Sequence, residues 1–460
     1  GVIYTFGHEH TYAYFTNIGT LPTEISAKIN FGTQLSWRTG AIMRDVEIIQ
    51  SGGSGTKAVF SCHYLDSELN NNNEDNLALW VGLTPNVEYG RSSINTTENW
   101  ILLSNINLGF FSSTWDGTKK ITLDEFDTTT TLTWNGSLSN SWTSVENWTP
   151  NAGPAPNINI IIPDSSTTLN DPTLPLITEI KSLFIKSNGL LNSFDSAQLT
   201  INGGNSAWVN MGGTFSPGTS NVIFTNDNAT IAGSTNFHNV TTTAGKTLWM
   251  ENGSTMKIAG TIFNNGTWQT LTSGTTTVEY DGADQTVISP NGTIPGYYNL
   301  ILSGSGVKTL PTSAMTIYGN FSMNDSTSAT AGAALTINGN VLIGSGTAFA
   351  SGNYSHTFKG VFENDGSFTA TSGNSIYLAG NSSQSVLGTS LTIFDNLVIE
   401  NNAGVNLHSN ITANGELNLT AGNLNVGEMV LGINGTIIKS AGFLDVNPQS
   451  SLNFGGSSAL

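Results

Sequence analysis

Short runs in which apolar and polar residues alternate dominate this chain, as in Thr276-Thr277-Val278-Glu279-Tyr280 and Leu417-Asn418-Leu419. A period of two puts successive side chains on opposite faces of a strand. Asn-Gly, Ser-Gly and Gly-Asn pairs separate the runs and supply the positive φ that tight turns need. Windows with apolar residues at i, i+3, i+4 and i+7 are few and are interrupted by Gly or Asn, and blocks of Ala, Leu, Glu and Lys are missing. The pattern predicts an all-β protein.

Three stretches differ in texture. Residues 1–127 are the least repetitive and hold Arg38, Arg44, Arg91 and Cys62. Strand-like runs (Lys57-Ala58-Val59-Phe60-Ser61 and Leu77-Ala78-Leu79-Trp80-Val81) flank an acidic segment at residues 66–76. Length and spacing predict a β-sandwich-like domain. Residues 128–163 read as a linker, the Thr tract at 128–131, followed by a Trp-rich segment that starts a new module with Trp134, Trp142 and Trp148. A row of β-coils needs its first coil covered, because an open end leaves core and backbone groups in water. Aromatic side chains do this efficiently.

Residues 164–460 repeat. Gly213-Thr214-Phe215-Ser216, Gly266-Thr267-Trp268-Gln269 and Gly366-Ser367-Phe368-Thr369 form one anchor, spaced by 53 and then 100 residues. Each leads to a strand and then to a second anchor: Phe237-His238-Asn239-Val240, Tyr297-Tyr298-Asn299-Leu300 and Phe394-Asp395-Asn396-Leu397. A third follows at Ala244-Gly245-Lys246-Thr247-Leu248, Gly306-Val307-Lys308-Thr309-Leu310 and Ala403-Gly404-Val405-Asn406-Leu407. These repeats predict a right-handed parallel β-helix, a β-solenoid whose coils share an interior apolar column while Thr, Ser and Asn face water. At about 20–25 residues per coil this stretch holds about a dozen coils. A stack of antiparallel sandwiches is the rival arrangement, weakened by the absence of strongly charged outward faces.

Composition narrows the function. With 14 Lys+Arg against 32 Asp+Glu and a net charge of −18, the chain lacks the clustered cations that phosphate contacts require, which argues against nucleic acid as a partner. Its 38% hydrophobic content is enough for packed cores. No apolar run approaches the roughly 18 residues of a membrane-spanning helix. Cys62 is the sole cysteine, so no disulfide framework supports the fold. The chain opens in the strand-like run Val2-Ile3-Tyr4-Thr5-Phe6 and is read as a piece of something longer.

Three segments resemble known proteins. Thr133-Trp134-Asn135-Gly136, Trp142, Asn147-Trp148, Pro154 and Ile160-Ile161-Ile162-Pro163 resemble the opening of repeat modules in large surface proteins of Bacteroidota. The three-anchor series resembles the β-solenoid that follows there. Arg44-Asp45-Val46-Glu47-Ile48, Phe60, residues 63–70 and 74–80, and Asn99-Trp100-Ile101 are similar to a β-rich module of the same proteins. The resemblance covers most of the chain. It implies export through the outer membrane by type IX secretion and a place in a cell-surface adhesin or gliding-associated protein. The sorting domain that such export needs is not visible, consistent with a fragment, and no family chemistry carries over onto particular residues.

Candidate sites are few. His8-Glu9-His10 puts two imidazoles on one face of a strand, a spacing that metal sites use, and Cys62-His63 completes the set if the fold brings them together. In the acidic loop Asp66, Glu68, Glu74 and Asp75 offer the oxygen donors that calcium prefers, without EF-hand spacing; a polar hairpin tip is the plainer reading. Glu279, Asp281 and Asp284 are a carboxylate group of the kind glycoside hydrolysis uses, yet the matching positions elsewhere are Ile223, Thr225 and Asn228. A polysaccharide lyase needs a cation near its substrate carboxylate, and no Arg follows residue 91. Trp208, Trp249 and Trp268 are candidates for stacking on sugars or, alternatively, for filling the solenoid interior. Asn-x-Ser/Thr triplets such as Asn135, Asn252 and Asn434 report Asn turns sooner than glycosylation.

The resulting expectation is a non-catalytic segment of a large secreted surface protein: an adhesin stalk, extracellular, without cofactor other than the calcium candidate. Its implied partners are the outer-membrane secretion machinery and a surface polysaccharide or another cell-surface protein. The alternative is a carbohydrate-binding module of a secreted polysaccharide-active protein, located in residues 1–127.

Overall fold

The computed structural model describes residues 2–16, 19–82, 86–113, 119–127, 130–271 and 274–455. It is all-β, with a parallel β-solenoid of about 14 turns preceded by a sheet-rich N-terminal region. The chain divides into two compact units, Gly1–Thr255 with Phe263–Gly274, and Met256–Ile262 with Thr275–Leu460.

The first unit opens with two five-stranded sheets. One has the order Val2–His8, Thr11–Phe15, Lys57–His63, Trp100–Asn107, Ser93–Asn95; the other Glu24–Phe31, Arg44–Ser51, Lys120–Glu125, Leu77–Gly82, Val87–Gly90. Neighbouring strands in both sheets run antiparallel. Inward residues of both sheets meet in one core: Phe15, Phe60 and Leu103 from the first, Val46, Leu79 and Ile121 from the second. The alternation in Thr11–Phe15 shows why, since Ala13 and Phe15 are buried while Tyr12 and Tyr14 lie on the other face.

After this sandwich Thr131–Trp134 pairs antiparallel with Trp148–Thr149, and from its pairing with Asn159–Ile162 onward the strands stack in parallel. Of the tract read as a linker, Thr128 and Thr129 lie outside the described residues, while Thr131 already begins the strand Thr131–Trp134. Trp134, Trp142 and Trp148 are buried against one another, edge to face at 4.9 and 4.8 Å. Asn147, fully buried, pins the intervening loop by accepting from the Leu138 and Ser139 amides and donating to the Ser141 carbonyl. The first turns then stack in register through an inner ladder, Ile160–Leu183–Trp208–Ile231, and an outer one, Ile161–Phe184–Val209–Ala232. Both ladders are buried. The outer one forms its own apolar cluster with Phe126 and Met211 packed on it. Here the sandwich docks on the solenoid.

In the second unit the turns carry a single apolar face. Val278, Leu300, Phe321, Val341, Phe362 and Val386 stack as one buried interior column. Their strands alternate buried and partly exposed positions. Parallel register throughout rules out the antiparallel-sandwich stack. The repeated anchors have a direct meaning: strand and second anchor are stacked neighbours, pairing Val222 with Val240, Val278 with Leu300, and Ile376 with Leu397.

Asparagine plays a different part from the one composition suggested. Within the solenoid only Asn188 among the asparagines takes a positive φ. Instead the side chains link turns: Asn299 Oδ1 accepts from the Asn320 amide, Asn320 from that of Asn340, and Asn340 from that of Val361, at 2.8–2.9 Å and 20 or 21 residues apart. Each turn thus supplies an acceptor for a corner amide of the next, a group that a solenoid bend leaves without a ladder partner.

Candidate functional site

The outward face of the first sheet carries three accessible aromatic side chains, Tyr12, Tyr14 and Trp100. Cross-strand register lines up Thr5, Tyr12, Ser61, Leu102 and Ser93 in one row, and Ile3, Tyr14 and Val59 in another. Next to them His63 pairs with Trp100, and Trp100 with Asn95. Tyr12, Tyr14 and Trp100 are each half-buried. A groove of about 400 Å³ runs over this face, with Asn252 of a solenoid turn in the same unit also lining it. Partial burial raises the Tyr12 phenol above its ordinary range. The Trp100 indole is oriented from its far side, where Nε1 donates to Glu98 Oε2 at 3.0 Å and the same oxygen accepts from Asn95 Nδ2 at 2.9 Å.

At one end of this face the structure brings together the histidines singled out in the sequence. The His8 and His63 rings stack at 3.8 Å, inclined by 20°, and His10 lies 5.6 Å from His8 and 6.0 Å from Trp100. Burial, then the proximity of His8, Arg44 and His10, hold His63 below the usual imidazole range. Cys62 is not part of the group. As the inward neighbour of His63 it sits in the core, where burial pushes its thiol up to about 12. Among the described residues no set of three or more His, Cys, Asp or Glu side chains is placed to hold a metal ion.

The four acidic-loop residues are dispersed over two short helical turns, Asp66–Glu68 and Glu74–Asn76. Glu68 is buried and held by Arg44 through two hydrogen bonds, Nε to Oε2 at 2.8 Å and Nη2 to Oε1 at 3.1 Å, and Oε2 also accepts from the Leu65 amide. Asp66 is exposed and accepts from Asn99 Nδ2 at 2.6 Å. Burial, and then the nearby Glu74 carboxylate, push the Tyr64 phenol above its ordinary range, and the Asp75 side chain lies outside the described residues. Asn70 and Asn71 carry the positive φ of a tight turn, 51° and 66°.

Of the carboxylates near residue 280, Glu279 is held by a cation and a hydroxyl. Glu279 pairs with Lys257 at 2.8 Å and accepts from Ser303 at 2.7 Å. Asp281 is raised by burial and by Glu279. Trp208, Trp249 and Trp268 are buried, so they fill the structure and present no ring to a sugar.

No protein-family model, curated protein or solved structure matches the chain.

Sequence reasoning passed over three buried polar residues at contacts between distant parts of the chain. Arg91 lies under the sandwich with its guanidinium over Phe184 and donates to the Leu77 carbonyl. Lys57 donates to Asn228 Oδ1 at 3.0 Å and lies 4.5 Å over the Trp249 ring, its pKa lowered by burial to about 8. Gln285 donates to the Ile258 and Gly260 carbonyls while its own oxygen accepts from Gly282 and Lys308. Gln384 repeats that role, bonding Phe358 and Gly360, with Asn401 in place of the lysine. The signal was present: a Gly-to-Gln turn recurs at Gly282-Ala283-Asp284-Gln285 and Gly380-Asn381-Ser382-Ser383-Gln384.

Proposed function

We propose that this chain is a segment of a large secreted bacterial surface protein and serves as a non-catalytic adhesin stalk. The observation that carries the reading is the in-register parallel stacking of the second unit, where the interior is one apolar column and corner amides are bridged from turn to turn by asparagine. Such a body takes its stiffness from backbone ladders running from turn to turn, about 4.8 Å per turn, and needs no disulfide. A charge of −18 favours solubility over self-association. Cell-surface location, export by the type IX route and engagement of a surface polysaccharide or protein belong to the same reading and rest on the sequence resemblance.

The test is fractionation of the producing cells, blotted with an antibody to residues 128–460. A surface-attached band far larger than 48.5 kDa is expected; a free band near 48.5 kDa in the medium overturns the stalk.

A second reading, glycan binding by the N-terminal sandwich, is favoured by one observation: the aromatic groove on the outward face of its first sheet.

A further inference from the structure

We infer that the groove lined by Tyr12, Tyr14 and Trp100 is a binding site for an uncharged oligosaccharide. The inference rests on the glycan-binding reading and assigns it a place and a ligand class.

The three aromatic residues stand at outward positions of two strands in one sheet, Thr11–Phe15 and Trp100–Asn107, with Val59 on the strand between them and Leu102 two residues along from Trp100. Each ring is half-buried, so its orientation is held by neighbours while part of its surface faces the groove. A pyranose has complementary chemistry: C–H groups on its faces that pack on an aromatic ring, and hydroxyls around its edge that need polar partners. Ser93 and Asn252 supply hydroxyl and amide groups in the same lining. The volume of about 400 Å³ lies within the usual range of small-molecule sites, about 300–1,000 Å³.

Charge selects the class. None of the lining residues is ionic, although the chain holds 32 Asp+Glu and 14 Lys+Arg. A uronate or sulfated polymer would lose hydration there without meeting a cation, whereas a neutral glycan brings no charge to desolvate. An extended peptide is the poorer occupant. Strand addition needs an unpaired sheet edge, and this groove lies on a face whose strands are already paired across Thr11–Phe15, Lys57–His63 and Trp100–Asn107.

The experiment titrates the full chain with neutral hexasaccharides of β-glucan and β-mannan, with polygalacturonate and a sulfated glycan as charged probes, by calorimetry and tryptophan fluorescence. Binding of at least one neutral probe is expected, unchanged by added salt. Trp100→Ala and Tyr14→Ala should each weaken it about tenfold or more, as loss of a central aromatic anchor does, while Trp100→Phe retains most of it. Ser93→Trp, which fills the groove from a half-buried position, should block it, and unchanged unfolding midpoints show that the variants fold. Neutral-glycan binding that survives both Trp100→Ala and Ser93→Trp overturns this site and leaves the glycan-binding reading standing. Binding confined to the charged probes overturns the neutral-glycan site and leaves the glycan-binding reading standing, and failure of the wild-type chain to bind any of the probes overturns both.

Discussion

The guanidinium of Arg91 lies 4.7 Å from the centre of the Phe184 ring, and Phe126 packs on the same ring at 6.1 Å. Arg91 belongs to the sandwich and Phe184 to a solenoid turn, so this contact joins two architectures inside one compact unit. It is buried: Arg91 is 2% exposed. A cation over an aromatic ring, shielded from water and anchored to the Leu77 carbonyl at 2.8 Å, is a strong form of the interaction.

Arg91→Ala should therefore destabilise the first unit by about 2–4 kcal/mol, through the lost ring contact, the lost hydrogen bond and the cavity left behind. Denaturant unfolding of the full chain measures it. Arg91→Lys should recover only part of the loss, because an ammonium lacks the planar face that lies on the ring. An Arg91→Ala transition identical to wild type would show that the outer apolar ladder holds the sandwich alone.

Lys57 makes the neighbouring contact, and its pKa gives a pH dependence with a definite sign. Burial lowers it from 10.5 to about 8, so the folded state disfavours the charged form. Above about 10.5 the amine is neutral in both states and there is no penalty. The penalty builds as pH falls from 10.5 towards 8 and is complete below that. Lys57→Met keeps the aliphatic stem over Trp249 and removes the charge. It should be more stable than wild type by about 1–2 kcal/mol at pH 7, with the difference fading towards pH 10.5. Thermal melts across that range check it, and a constant difference would contradict it.

Lys308 and Lys246 hold matching places in the repeat and should respond unequally to mutation. Lys308 is fully buried and donates to the Gly282 and Ala283 carbonyls and to Gln285 Oε1, at 2.6–2.8 Å. Lys246 has a 38% exposed side chain and a 3.4 Å contact with the exposed Asp227. Lys308→Met should cost about 3 kcal/mol by leaving buried acceptors unsatisfied, while Lys246→Met should fall within about 0.5 kcal/mol of wild type. Equal effects in chemical denaturation would refute the assignment of Lys308 as a structural tie.

Two glycines test the geometry of the turns. A Cβ on Gly266 would lie 2.2 Å from the Lys246 carbonyl oxygen and 2.5 Å from that of Thr243, so the preceding turn leaves no space for it. Gly245 has φ of +70° but open surroundings. Gly245→Ala should cost about 1–2 kcal/mol from the left-handed backbone alone. Gly266→Ala should cost distinctly more, about 3 kcal/mol or above, because backbone must move. The order of the two melting temperatures decides it.

Much of this was legible in the chain. Alternation in runs such as residues 276–280, the Gly-rich punctuation and the three ordered anchors specify parallel turns of about 20 residues, because those features follow from local geometry repeated. The tryptophan cover over the first turn was likewise readable from Trp134, Trp142 and Trp148. The candidate calcium residues illustrate the limit: Asp66 and Glu68 are two apart in sequence, yet one faces solvent with Asn99 and the other is held by Arg44 from a distant strand. The role of Asn in bridging turns was hidden as well, since each bond spans about 20 residues.

The sequence by itself determined the all-β secondary structure and the repeat, because hydrophobic period and turn chemistry act within a few residues of each other. Tertiary structure alone decided which outward faces are covered. Ile161, Phe184, Val209 and Ala232 lie on the outward side of their strands and are buried only because the sandwich packs there; Tyr12, Tyr14 and Trp100 also point outward and line an open groove. Alternation assigns a side chain to a face, but whether that face meets water or protein depends on elements far away in the chain.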